Sequence, residues 1–193
     1  MKIGIIGKGH VGNALATGLS RAGHEIKFGH RDPEEPVAEA AKWGEVIIFA
    51  VPHDAVADVA EAVGSDADGK VVLDVTNLMT PNMELEFGFS TSGAEELQKM
   101  LPKARVVKAF NTVFAPNQSK GKLGGEQLTL FVAGDDAGAK EAVMQFGRAI
   151  GFDSVDAGPL KSARYLEPMG ILLINLGFVL NMGTGIGFRL VKG

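Results

Sequence analysis

The chain opens Lys2-Ile3-Gly4-Ile5-Ile6-Gly7-Lys8-Gly9-His10-Val11-Gly12, and this stretch restricts the possible folds more than any other. The mostly apolar residues 2–6 read as a short buried strand. From Val11 an apolar stripe continues through Ala14, Leu15, Gly18, Leu19 and Ala22, the spacing of one helix face. Gly7, Gly9 and Gly12 therefore form G-x-G-x-x-G at a strand-to-helix junction. Each glycine has a mechanical role there: a tight turn, close approach of backbone to a pyrophosphate, and close helix-to-strand packing. With 26 glycines among 193 residues, a chance match to the spacing has roughly even odds, so the motif gains its weight from its position.

The rest of the chain repeats the alternation. Strands are expected at 25–29, 45–51, 70–75, 105–110, 128–133 and 154–157, with helical patterns between most of them. Gly23 suits the left-handed position after the first helix. Asp32 and Pro33 read as N-cap and first residue of a helix running to Trp43. Thr76 to Thr91 reads as a loop, and Ser92 with Glu95 as a capping box in front of the next helix. Lys120 to Gly125 reads as a Gly/Lys-rich loop, and Asp135 or Asp136 as the cap of a helix that buries Val143, Phe146 and Ile150. The last segment reads as helical from Lys161 to Met182, broken at Pro168. The expected fold is α/β: a doubly wound, mainly parallel Rossmann sheet over residues 1–160, with a helical segment 161–193 packed on it in one structural domain.

Composition narrows the function. With no cysteine, disulfides, thiolate metal sites and cysteine nucleophiles are excluded. A net charge of −4 offers no basic field for nucleic acid. Gly170 to Leu180 is apolar apart from Asn175, too short to span a bilayer, and is expected to be buried against the sheet or a second subunit. A cytoplasmic protein without membrane or nucleic-acid partners, forming a homodimer or higher homo-oligomer, is the expectation. His10 has no second ligand near it in sequence, so no metal site is expected.

An NAD site places an acidic residue at the end of the second strand. Here His30 and Arg31 stand there, and a guanidinium suits a 2′-phosphate. NADP(H) is therefore the expected nucleotide, with Asp32 as a nearby complication. A surface Arg31 paired with Asp32 is the plainer reading. Arg164 and Glu167 read as a helical i, i+3 ion pair.

Ile3-Gly4-Ile5-Ile6-Gly7-Lys8-Gly9-His10-Val11-Gly12, Gly29-His30-Arg31, Ala50-Val51-Pro52, Lys108-Ala109-Phe110-Asn111-Thr112, Asp156-Ala157-Gly158-Pro159-Leu160 and Met182-Gly183 follow in order. Together they resemble the coenzyme F-420-dependent NADP oxidoreductases and their bacterial relatives. The cytosolic reductase domain of the six-transmembrane metalloreductases is similar. The resemblance implies hydride transfer between nicotinamide and a flavin or deazaflavin such as coenzyme F-420, with no catalytic side chain demanded. It implies that Gly9, His10 and Val11, within the Gly7–Gly12 turn that includes Lys8, meet the pyrophosphate. His30 and Arg31 would meet the 2′-phosphate, and Pro52 and His53, after Ala50 and Val51, the nicotinamide ribose. Asn111, Thr112, Val113 and Phe114 would lie against the acceptor ring. The chain is somewhat short for the deazaflavin enzymes, and Asn111 stands where those enzymes have histidine. A nucleotide-binding sensor without turnover is the alternative. A β-hydroxyacid dehydrogenase ranks last, because only about forty residues follow the sheet.

Overall fold

The computed structural model describes residues 1–77, 79–80, 85–87 and 89–193. Part of the expected Thr76–Thr91 loop therefore lies outside the described residues. The first strand, β1 (Lys2–Ile6), pairs in parallel with β2 (Glu25–Gly29) on one side and β3 (Val46–Phe49) on the other. Next to β3 come β4 (Val71–Asp74) and β5 (Arg105–Lys108), both parallel. The far edge is built from β8 (Thr129–Gly134), antiparallel to β5, and β9 (Asp153–Asp156), parallel to β8. A small hairpin of β6 (Lys122–Leu123) and β7 (Glu126–Gln127) stands apart. The sheet order is β2-β1-β3-β4-β5-β8-β9, mainly parallel. The chain moves outward from β1 to β2 and then returns to β3, so the strand order reverses between β1 and β3. Ligand crevices in such sheets form beyond the carboxyl ends at that reversal.

Helices cover both faces, which explains the near-unbroken apolar runs of the central strands. All four residues of β3 are fully buried. One core lies under α1 (His10–Arg21) and α6 (Ala137–Ile150), around Ile5, Leu15, Ile48, Val107 and Phe146. The other lies under α2 (Val37–Trp43), α3 (Val56–Val63) and α4 (Gly93–Met100), around Ile6, Ile47, Val59 and Leu97. Caps fall largely where the sequence puts them. Gly23 sits at φ +89 and donates to Ser20, while His24 donates to Leu19, a Schellman closure of α1. Ser92 accepts the Glu95 N–H at 3.2 Å, and Asp136 accepts the Ala139 N–H at 2.7 Å.

Several expectations are corrected. α2 begins at Val37, not at Asp32 and Pro33. Asp32 Oδ1 instead accepts the Glu34 N–H at 3.0 Å, so the Asp closes a local turn. The Lys120–Gly125 loop instead holds β6 and the turn of the β6–β7 hairpin, made possible by Gly124 and Gly125, both at positive φ. A short helix, α5 (Ala115–Gln118), follows β5 where none was read. Pro168 does not break the last helix, α7 (Ala163–Ile174). Local propensity opposes an interior proline by about 3 kcal/mol, yet tertiary anchors on either side hold the helix. Leu166 O accepts from Asn111 Nδ2 at 2.7 Å, Glu167 pairs with Lys108, and Gly170 packs against Asn77 and Asn111. After α7 a π turn spans Asn175–Val179, and the chain then runs to Gly193 without a helix. The segment is thus only partly buried: Leu172, Phe178, Val179, Leu180 and Met182 are exposed. Among the described residues no helix is long and apolar enough to cross a membrane.

Candidate dinucleotide site and the adjoining cleft

The glycine turn carries its own test of fit. A Cβ on Gly7, at φ +111, would lie 2.2 Å from the Ala50 carbonyl oxygen. On Gly12 it would lie 2.1 Å from the Gly7 carbonyl oxygen, so α1 could not approach β1. A Cβ on Gly9 would meet nothing within 4 Å, so the missing side chain there leaves open space. Gly9 is the N-cap of α1; no side chain caps the helix, and its first turn has no acid. Unpaired N–H groups and the positive end of the helix dipole thus face a gap that admits a pyrophosphate. Asn13 braces the turn by donating to Lys8 O at 2.6 Å and Gly9 O at 3.1 Å.

The turn separates two clefts. One, of about 570 Å³, is lined by Gly7, Lys8, Gly9, His30, Arg31, Ala50, Val51 and Pro52, and also by Asp54 and Asp58. Eight of the residues picked out from the sequence are brought together here by the ends of β1, β2 and β3. The two aspartates were missed, since a short acidic helix face carries no signal of its own. Val11 instead packs on the core, and Gly12 is buried beneath Gly7. His53 does not join this cleft. It faces a separate hollow with Thr76, Phe87 and Leu97, and its Nε2 lies 2.9 Å from Glu86 Oε2.

The second cleft, of about 410 Å³, lies on the other side of the α1 N-terminus. His10 and Ala14 form one wall and Phe114, Ala115, Pro116 and Ser119 another, closed by Phe178 and Thr184 from the segment after α7. Phe114 and Phe178 meet edge to face with centroids 5.4 Å apart. A Cβ on Gly177 would strike the Phe114 ring at 2.5 Å, so glycine lets the π turn close on that ring. The loop feeding this cleft starts under strain, with Phe110 at φ +65, a cost typical of functional loops. Of the residues expected against the acceptor ring, Phe114 lines the cleft, while Asn111, Thr112 and Val113 are buried below it. Asn111 is engaged with Leu166 and Asn77, and its Oδ1 and the Thr112 hydroxyl have no partner among the described residues.

At the carboxyl ends of β4 and β5 lies a buried charge cluster that sequence reasoning missed. Lys108 Nζ, fully buried, contacts Asp74 Oδ2 at 2.9 Å, Glu167 Oε1 at 3.1 Å and Thr76 O at 2.8 Å. Burial opposes the ammonium charge, but the two carboxylates outweigh it and hold the Lys108 pKa above the usual lysine range. Glu167 also accepts the Gly93 and Ala94 N–H groups at the start of α4, and Asp74 accepts the Thr76 N–H. Glu167 therefore does not form the i, i+3 ion pair with Arg164 that their spacing suggests. Arg164 makes a two-pronged contact with Glu95 instead, both bonds 2.8 Å.

Fold and glycine turn together define a Rossmann dinucleotide-binding protein. The model of the family "NADP oxidoreductase coenzyme F420-dependent" matches residues 2–38. The chain is 29% identical to the F420-dependent NADP reductase of Methanothermobacter marburgensis, over 100% of this chain and 99% of that protein. It is 31% identical to the metalloreductase STEAP3 of Rattus norvegicus over 90% of this chain, and spans 36–37% of the length of the metalloreductases it matches. A crystal structure from Arthrobacter sp. FB24, of a candidate F420-dependent NADP-reductase, superposes with a TM-score of 0.92 at 27% identity, covering 100% of both chains. Over its whole length the chain is thus similar to the coenzyme F420-dependent NADP oxidoreductases.

Proposed function

We propose that the protein is an NADP(H)-dependent oxidoreductase that passes hydride between nicotinamide and a flat acceptor ring, a flavin or a deazaflavin of the coenzyme F420 kind. The observation that carries this reading is the pair of clefts on either side of the α1 N-terminus, one bearing Lys8, His30 and Arg31, the other apolar with Phe114 and Phe178. Gly7, Gly9 and Gly12 admit the pyrophosphate, and Arg31 with His30 suits a 2′-phosphate. The nicotinamide, when bound, supplies or accepts the hydride. The chain's own residues bind and orient: Phe114, Ala115, Pro116 and Phe178 offer an apolar wall that excludes water from a flat ring. His10, Ser119 and Thr184 are the polar groups at its margin. Acceptor chemistry of this kind accords with the names borne by the relatives.

The reading extends to assembly. From Pro168 to Phe188 the chain carries no charged residue, and Leu172, Val179 and Leu180 are exposed along it. A second copy can cover that face without like-charge repulsion, giving a homodimer or higher homo-oligomer, and a cytoplasmic setting goes with the nucleotide. Sedimentation showing a monomer at micromolar concentration removes this part. The catalytic reading is tested by mixing NADPH with FMN, FAD, riboflavin and coenzyme F420 in turn and following the nicotinamide absorbance. Turnover with one of them is expected. Tight NADPH binding with no turnover across the panel replaces the enzyme by a nucleotide-binding sensor.

A further inference from the structure

No carboxylate stands at the end of β2, yet the fold returns one to the glycine turn. Residues 32–35 form a tight turn, fixed by Glu35 N–H donating to Asp32 O at 2.9 Å and His30 N–H donating to Glu35 O at 2.7 Å. This turn carries Glu35 to Lys8, with Oε1 2.6 Å from Nζ. Lys8 also sits over the Phe28 ring, 5.5 Å from its centroid, and lines the same cleft as His30 and Arg31.

Resting on the reading of that cleft as an NADP(H) site, we propose that Lys8 is a specificity-determining residue whose ammonium exchanges between Glu35 and the 2′-phosphate. Arg31 is followed directly by a turn holding Asp32, Glu34 and Glu35, and Asp54 and Asp58 line the same cleft, so a phosphate held by Arg31 alone would sit in an acidic setting. Lys8 is the second cation lining the cleft, and without nucleotide Glu35 holds it. The pair is well exposed, its side chains 42% and 34% accessible. Solvent screens such a pair, so opening it costs little. A phosphate near charge −2 is a stronger acceptor than one carboxylate and displaces it. With NADH no phosphate is present, and the pair stays closed. Glu35 therefore competes against NADPH alone, and Lys8 favours NADPH alone.

The test is calorimetric titration of NADPH and NADH into wild type, Lys8→Met, Glu35→Gln and the double variant, with Glu34→Gln reporting the general effect of charge in the turn. Lys8→Met is expected to weaken NADPH binding about tenfold and leave NADH within about twofold. Glu35→Gln is expected to tighten NADPH about two- to fivefold, the range an exposed ion pair permits. In the Lys8→Met background the Glu35→Gln gain should vanish. Unchanged NADPH affinity in Lys8→Met overturns the proposal. So does a Glu35→Gln gain that persists without Lys8, or one that Glu34→Gln reproduces in full. Binding that depends on Arg31 but ignores Lys8 leaves the cofactor reading standing and removes only this inference, whereas wild type binding neither nucleotide overturns both. Both side chains are partly exposed, so matched melting temperatures verify that the variants are folded.

Discussion

Lys108 ends β5 and Lys8 follows β1 at the carboxyl edge of the sheet, and each meets a carboxylate within hydrogen-bonding distance, at 2.9 and 2.6 Å. Their surroundings differ. Lys108 is wholly out of water, with Asp74, Glu167 and Thr76 as its acceptors and the N–H groups of Gly93 and Ala94 offsetting the second carboxylate. Lys8 and Glu35 are both partly exposed. Burial makes the first cluster a fixed joint between β4, β5, α4 and α7, because any missing partner leaves a charge that water cannot reach. Exposure makes the second pair exchangeable, which is what a ligand-binding cation needs. The same chemistry serves structure in one place and, as proposed, recognition in the other, and solvent access separates the two.

The comparison breaks most visibly at Lys108. Lys108→Met should cost about 3–5 kcal/mol of unfolding free energy, against less than about 0.5 kcal/mol for Lys8→Met. Urea denaturation of both variants measures the contrast, and equal losses would show that burial is not what separates the two lysines. Next in size is Arg31→Ala, which on the proposed reading removes a charge-assisted phosphate contact of about 1.5–3 kcal/mol. NADPH affinity should fall about ten- to a hundredfold while NADH binding barely changes. Retention of full NADPH preference would take the phosphate away from the exposed cluster.

A smaller effect is expected at Phe178, which is exposed but closes the apolar cleft. Phe178→Ala should lower turnover with a flavin acceptor about three- to tenfold, the worth of one aromatic contact of about 0.5–1.5 kcal/mol, leave NADPH binding alone, and lower the melting temperature by only a few degrees as the contact with Phe114 is lost. A loss confined to NADPH affinity would place nucleotide, not acceptor, in that cleft. The smallest effect sharpens the comparison from an intermediate case, Glu95 with Arg164, whose side chains are 19% and 22% accessible. The Arg164 hydrogen bonds hold the Glu95 carboxyl below its ordinary value of 4.5. Its contribution is therefore present above that value and lost as the pH falls through the lowered one. Arg164→Ala should remove about 0.5–1 kcal/mol at neutral pH and flatten the stability profile below pH 4.5. A profile as steep as that of wild type would assign the acid sensitivity to other carboxylates.

What the sequence determined by itself is what neighbouring residues decide together. The G-x-G-x-x-G turn, the Schellman closure at Gly23, the caps at Ser92 and Asp136 and the apolar strands are legible because their causes lie within a few residues of one another. The same holds for the eight cleft residues at the ends of β1, β2 and β3, which the parallel alternation is bound to collect at one edge. Local reading failed where a distant partner outbid a near one. Asp32 reads as a helix cap, yet the turn it closes is needed to carry Glu35 back to Lys8, 27 residues away in sequence. Pro168 reads as a break, but the anchors from Asn111 and Lys108 outweigh its local penalty. Glu167 has Arg164 one turn away and instead bonds Gly93, 74 residues off, and the buried Lys108. Phe178 has no local pattern to mark it, and only the π turn closing on Phe114 gives it a wall to complete. Those pairings depend on which groups the packed chain removes from water together, a quantity set by the three-dimensional arrangement that no window of sequence contains.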